Sequence, residues 1–212
     1  MKKVFVLGFL FFLPITVYLF FASGVNHFAR LPVLTTNVSE LEHFKTLDQS
    51  PIKLQGNITV LGFLGSDLPL KNALVFNLAH KIYKPYYQFH DLQFVMIVSD
   101  SMQPVVKDLK LALKKIEDPI KWKFIYGDSE AISSQFKSLK TNLQLNANLS
   151  SDFVFIIDKD KNLRGRDDDE DVKTLFGYST TSIAELNDKM NDDIKVILAE
   201  YRLALKKYNK EK

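Results

Sequence analysis

Cysteine is absent from all 212 residues, and that absence excludes more chemistry than any motif in the chain establishes. Thiol exchange needs a sulfur nucleophile and thiolate metal sites need sulfur ligands, so this chain supplies neither by itself. No disulfide staples the fold, and packing alone must stabilise it. Charge of one sign is also scarce: Lys+Arg 28 against Asp+Glu 25 leaves a formal net charge of +3, too small and too scattered to build a nucleic-acid surface. The four histidines, His27, His43, His80 and His90, lack a close spacing such as H-x-x-x-H and give no metal-ligand pattern. Internal repeats and low-complexity tracts are missing too.

What is present begins with Met1, Lys2 and Lys3, followed by an uncharged run from Val4 to Asn26 dense in Phe, Leu and Val. At about 1.5 Å per residue, roughly 20 such residues cross the hydrocarbon of a bilayer. The lysine pair predicts a cytoplasmic N-terminus at 1–3, a transmembrane signal anchor over 4–26 and a remainder facing the periplasm or other extracytoplasmic side. Ala22, Ser23 and Gly24 also permit a cleaved signal peptide, although the long apolar stretch favours retention. No cysteine follows the run, so lipid modification at such a residue is excluded.

About 180 residues remain, enough for one domain with a substantial core. Residues 27–55 read as a linker and lead-in segment with little regular structure, 56–207 as the domain and 208–212 as a basic tail. Ile58 to Leu64 is a continuous apolar run bounded by Gly56-Asn57 and Gly65-Ser66, the signature of a strand buried on both faces. A helix follows from Leu68 to Tyr83, with Leu70, Leu74, Leu78 and Ile82 on one face and Asp67 as its N-cap. Leu92 to Val98 is a second buried strand, and Pro104 opens a helix to Ile116 with Val105, Leu109 and Leu113 aligned. This order predicts parallel strands with right-handed crossovers.

Lys121 to Tyr126 is a third strand, and Asp128 caps a short helix to about Leu139. Asp152 to Asp158, the turn Lys159-Asp160-Lys161-Asn162 and Leu163 to Arg166 form a β-hairpin whose polar second strand suits a sheet edge. Asp167 to Thr181 reads as a polar loop. From Ser182 a terminal helix places Ile183, Leu186, Met190, Ile194, Ile197, Leu198, Tyr201 and Leu205 toward the sheet.

These elements in this order make up a thioredoxin-like layout, a three-layer α/β/α fold with a central mixed sheet. KWKFIYGDSEAI (Lys121 to Ile132) resembles the W-x-F-L-T-G stretch of Sco/SenC proteins, membrane-anchored copper chaperones and thiol reductases of cytochrome c oxidase assembly. DFVFIIDKDKNLRGR (Asp152 to Arg166) is similar to that family's I-D-x-x-G-x-I-R-G hairpin, and FLGSDLPLKNALVFNLA (Phe63 to Ala79) to its F-T-S-C-P-x-x-C-P turn and first helix. The resemblance spans about Gln55 to Leu205. It puts the two family cysteines at Asp67 and Lys71 and the family histidine near Ser150 or Ser151, so all three copper ligands are replaced.

The resemblance therefore implies a redox-inactive relative without a cofactor, acting through an unknown protein partner such as an oxidase assembly component, or near envelope copper and thiol handling. The expected contact surface is the turn Gly65, Ser66, Asp67, Leu68 and Pro69, with the loops Ser99 to Gln103 and Asn146 to Ser151. Asp67 and Lys71, four residues apart, read as a helix-start ion pair. Two rival readings are a non-thiol enzyme using Asp67, Lys71 and Ser150, and weak copper binding through a surface histidine. The acidic run Asp167, Asp168, Asp169, Glu170 and Asp171 lacks the ligand spacing and turn glycine of a Ca²⁺ loop and reads as solvated. Tyr83, Pro85, Tyr86 and Tyr87 read as packing beneath the following loop, with a partner patch as the alternative.

Overall fold

The computed structural model describes residues 2–23, 30–47 and 50–210. His27 and the side chain of Leu205 lie outside the described residues. Helix α1 spans Lys2–Ser23 with Pro14 inside it, and its described apolar side chains are exposed. The expected transmembrane helix is nevertheless not supported: no helix among the described residues is long and apolar enough to cross a membrane.

The domain is built on β2 (Ile58–Gly65) and β3 (Leu92–Ser99), which run parallel, with β4 (Trp122–Gly127) parallel beyond β3. On the other side of β2 lies β5 (Phe153–Ile157), antiparallel, followed by β6 (Leu163–Arg164) and, outermost, β1 (Val33–Thr35). All eight residues of β2 are buried, because both faces of the sheet are covered. One face carries Val60, Phe94, Met96, Trp122 and Phe124 against α2 (Leu68–Leu78), α4 (Gln103–Leu113) and α7 (Asn191–Lys210). The other carries Leu61, Phe63, Val95, Ile97 and Phe155 against α5 (Ser129–Ser138) and the lead-in. The alternation along each strand follows from its two-residue period.

Several expectations need correction. The helix after β2 buries Leu78 and Ile82 as expected but leaves Leu74 half-buried and Leu70 81% exposed; Leu68, Val75, Ala79 and Tyr83 complete the inward face. A strict four-residue spacing drifts around a helix of 3.6 residues per turn, and after Leu78 the backbone widens into a π turn, Ala79–Tyr83, that brings two successive residues inward. A three-residue helix, α3 (Lys84–Tyr86), completes this segment. In α4 the inward residue is Val106, with Val105 only half-buried. The terminal helix is likewise broken: Ser182 caps α6 (Ile183–Glu185), a π turn Leu186–Met190 follows, and α7 continues, leaving Ile183 exposed.

The lead-in contributes β1 and buries Leu31, Val38, Leu41 and Leu54. With β1 beyond it, β6 is not the sheet edge. Arg164 on β6 is buried, pairs with Asp158 and Glu200, and donates to the Leu31 carbonyl. The segment expected to be a polar loop holds the hairpin β7 (Arg166–Asp169) and β8 (Lys173–Leu175), then β9 (Tyr178–Ser179), which pairs with β5. Asp169 and Asp171 are held by Lys189, while Arg166 and the Tyr178 hydroxyl both bond Asp193.

Candidate functional site

The turn that the resemblance singles out sits where β2 leaves the sheet. Gly65 has φ +51°, and a Cβ there would stand 2.0 Å from the Asn148 carbonyl oxygen. Only glycine fits both the left-handed backbone and that close approach. The loop 146–151 is thereby seated directly on the turn: Ser66 N–H donates to the Asn148 carbonyl at 2.9 Å and Ser151 N–H to the Phe63 carbonyl at 2.8 Å. The Ser66 hydroxyl also donates to Ser99 at 2.9 Å. All three loops expected around the site therefore meet here.

Asp67 occupies the position before α2, but its side chain makes no capping bond. Its backbone carbonyl accepts from Leu70 and Lys71 instead. The carboxylate, buried at 7% exposure, accepts from Asn146 Nδ2 at 2.7 Å, Asn148 Nδ2 at 2.6 Å and Ser150 Oγ at 2.7 Å. Asn146 Oδ1 in turn accepts from the N–H groups of Asn148 and Ser150, closing the loop on itself. The Ser150 hydroxyl, then the Asn146 amide, hold the Asp67 carboxyl below the usual carboxylate range; burial works against them, and Asn148 and Lys71 add to the lowering.

Lys71 does not pair with Asp67. Its ammonium binds Asp152, whose backbone carbonyl also accepts from the N–H and hydroxyl of Thr180. Of the positions assigned to the family ligands, 67 and 150 are thus in direct contact, while 71 is engaged elsewhere. Of the turn expected as a contact surface, Gly65, Asp67 and Leu68 are buried, and Ser66, Pro69 and the neighbouring Leu70 are exposed.

This arrangement binds a loop more readily than it performs proton transfer. A general base working near neutrality needs a raised carboxylate pKa and a free lone pair aimed at its target; Asp67 has a lowered one, and three donors occupy its oxygens. Among the described residues no group of three or more His, Asp or Glu side chains converges as a metal site. His43, His80 and His90 are exposed and apart in the fold. In the acidic run, Asp167, Asp168 and Glu170 face solvent while Asp169 and Asp171 hold Lys189. Tyr83 is buried, donating to the Asp118 carbonyl and meeting Phe94 and Trp122 edge-on, and Tyr86 donates to Asn191 Oδ1 at 2.6 Å, so these rings pack inward.

The sequence places Asn146 and Asn148 only within an expected contact loop and Asp152 at a strand start, and none of their bonds to Asp67 or Lys71 is legible there. The signal that marks the first two is the alternation Asn146-Ala147-Asn148-Leu149-Ser150, which puts three short polar side chains within reach of one acceptor.

No family model matches the chain, and no curated protein matches it. Among solved structures it is similar to a proposed electron transfer protein from Aquifex aeolicus VF5, at 13% identity and TM-score 0.51, covering 77% of this chain and 92% of that one. A thiol:disulfide interchange protein of the thioredoxin family from Chlorobium tepidum TLS aligns at 17% identity and TM-score 0.47 over 80% of this chain and 98% of that one. A copper-bound Sco protein from Arabidopsis thaliana aligns at 20% identity and TM-score 0.45 over 72% and 94%. The Aquifex likeness is one of fold: a mixed α/β sheet flanked by helices, with thioredoxin-family and Sco-family proteins among the chain's structural neighbours.

Proposed function

We propose that this chain is a membrane-anchored, redox-inactive Sco-like protein that works by protein contact, in respiratory oxidase assembly or in envelope copper and thiol homeostasis, with its domain on the extracytoplasmic side. The observation that carries the reading is the use of the Asp67 position: where the family resemblance places a sulfur ligand, a carboxylate saturated by Asn146, Asn148 and Ser150 ties the 146–151 loop to the turn. A sulfur-free turn held in this way retains shape without electron or copper transfer. The quoted sequence strings support the family kinship. The uncharged run Val4 to Asn26 after Lys2 and Lys3, together with the exposed apolar surface of α1, supports the anchor. Ser66, Pro69 and Leu70 form the contact surface.

Three measurements test this. Alkaline carbonate extraction of native membranes should leave the full chain in the pellet, and its release would remove the anchor. Titration of the purified protein with Cu(I) and Cu(II) should show no sub-micromolar binding; a tight site would overturn the loss of metal transfer. A photo-crosslinker replacing Leu70 should capture oxidase assembly, copper-handling or thiol-handling proteins of the envelope, and reproducible capture of only unrelated proteins would overturn the assignment.

A further inference from the structure

A second surface, remote in sequence from the Asp67 turn, has the chemistry of a docking groove. Strand β4 is hydrogen-bonded to β3 on one side, and on its other side, among the described residues, only Lys45 bridges it, at Tyr126. Tyr126 exchanges both backbone hydrogen bonds with Lys45 across that outer edge. Backbone groups alternate in direction along a strand, so the N–H and C=O of Phe124 point the same way. Trp122 N–H is satisfied by the Pro119 carbonyl. Phe124 thus presents a donor and an acceptor on an edge that no strand covers among the described residues.

Beside this edge lies a groove of about 650 Å³ between α4 and the turn into β4, floored by Leu111 and Pro119 and rimmed by Lys107, Lys110 and Lys114. Lys110 Nζ stands 5.7 Å from the centroid of the Phe124 ring, which ties the rim to the edge. Leu111 is 60% exposed, and Leu47, at the far end of the groove, 54%. Ile120, next to Pro119, is 67% exposed. Three lysines against one acidic lining residue, Asp118, give the groove a positive rim over an apolar floor.

We propose that this groove docks an extended segment of a protein partner, carrying acidic and apolar residues in alternation, by strand addition at Phe124. An extended chain places alternate side chains on opposite sides, so one set meets Leu111 and Pro119 while the acidic set meets the lysines, and its backbone pairs with the open edge. Positive lysines beside an unpaired strand also oppose edge-to-edge association with a second copy of this chain, which selects a partner of opposite charge. This inference rests on the reading of the chain as a contact protein but uses a different surface from Ser66, Pro69 and Leu70.

The test uses the full chain in phosphatidylcholine nanodiscs and a fluorescein-labelled peptide of alternating glutamate and valine. Saturable, salt-sensitive binding is expected, with slowed deuterium uptake at the Phe124 amide, and a Lys107→Glu, Lys110→Glu, Lys114→Glu variant should weaken it by at least about tenfold. Leu70→Asp should leave this binding unchanged, so failure at the Asp67 turn and failure here are separable. Equal binding of a peptide with lysine in place of glutamate, or binding without protection of Phe124, would overturn the proposal. Capture of the loaded nanodiscs by phosphatidylglycerol vesicles, lost on charge reversal and without peptide binding, would overturn it in favour of an anionic lipid surface. Circular dichroism of the triple variant, whose substitutions are at solvent-accessible positions, should match the parent; a melted triple variant moves the test to Leu111→Asp, for which the same loss is expected.

Discussion

Asp67 shows how one side chain can be read correctly as polar and turn-forming while its task stays hidden. Its three donors lie 79 to 83 residues further along the chain, beyond any local pattern. Replacing it by Asn turns one acceptor oxygen into an NH₂ facing amide and hydroxyl donors. Hydrogen bonds to charged groups contribute about 1.5 to 3 kcal/mol each in net terms, and an unsatisfied buried donor adds to the loss. Asp67→Asn should therefore lower the unfolding free energy by about 2 to 4 kcal/mol, read from urea midpoints; an unchanged midpoint would remove the loop-tie interpretation. Because the folded carboxyl sits below its unfolded value of about 3.9, its stabilisation is complete above that pH and is lost as pH falls through the folded value. Asp91, lowered first by Lys159 and then by His90, adds to the same acid limb. So does Asp169, where burial raises the carboxyl but Lys189 and the Asp171 and Val172 N–H groups outweigh it. The Asn variant should show a shallower acid limb below about pH 4 than the parent. Tyr126 is the opposite case: among the described residues its buried hydroxyl has no hydrogen-bond partner, and desolvation pushes its pKa up to about 12. Tyr126→Phe removes an unmet polar group, and its thermal midpoint should equal or exceed the parent's by a stability gain of up to about 1 kcal/mol.

At the scale of elements, the buried strands and the Asp128 cap were legible, and the Asp67 side chain and the sheet edges were not. β2 and β3 announced themselves as apolar runs, and Asp128 caps α5 as its sequence context predicts, accepting from Ala131 N–H at 2.8 Å. The hairpin turn is also local: Asp158 Oδ1 accepts from the N–H groups of Asp160 and Asn162. By contrast, the short polar strand β6 looked like an edge because nothing in its own residues reveals that β1, far earlier in the chain, pairs with it. Arg164 makes the consequence measurable. Its guanidinium joins β6 to the lead-in carbonyl of Leu31 and to Glu200 on α7. Arg164→Ala leaves buried Asp158 without its cation and should destabilise the fold by about 3 to 5 kcal/mol, seen as a lower urea midpoint. A loss under about 1 kcal/mol, the size of an exposed pair, would show that the tie is not needed.

For the whole molecule, the lead-in is part of the fold. Val38, Leu41 and Leu54 fill the face opposite α2, and Leu31 enters the other core. A chain shortened to begin at Gly56 should lose cooperative unfolding and bind a hydrophobic dye, whereas retention of a sharp transition would show that the sheet closes without it. The sequence by itself determined the absence of thiol chemistry, the order of β2 to β5 with the helices between them and the apolar N-terminal run, because composition and periodicity are properties of neighbours along the chain. The tertiary structure alone decided that Asp67 ties a distant loop, that Lys71 turns to Asp152, that β1 covers β6 and that, among the described residues, no strand pairs with the outer side of β4. Each of those depends on which distant residues the packed sheet brings within about 3 Å for a hydrogen bond, and no local pattern encodes that distance.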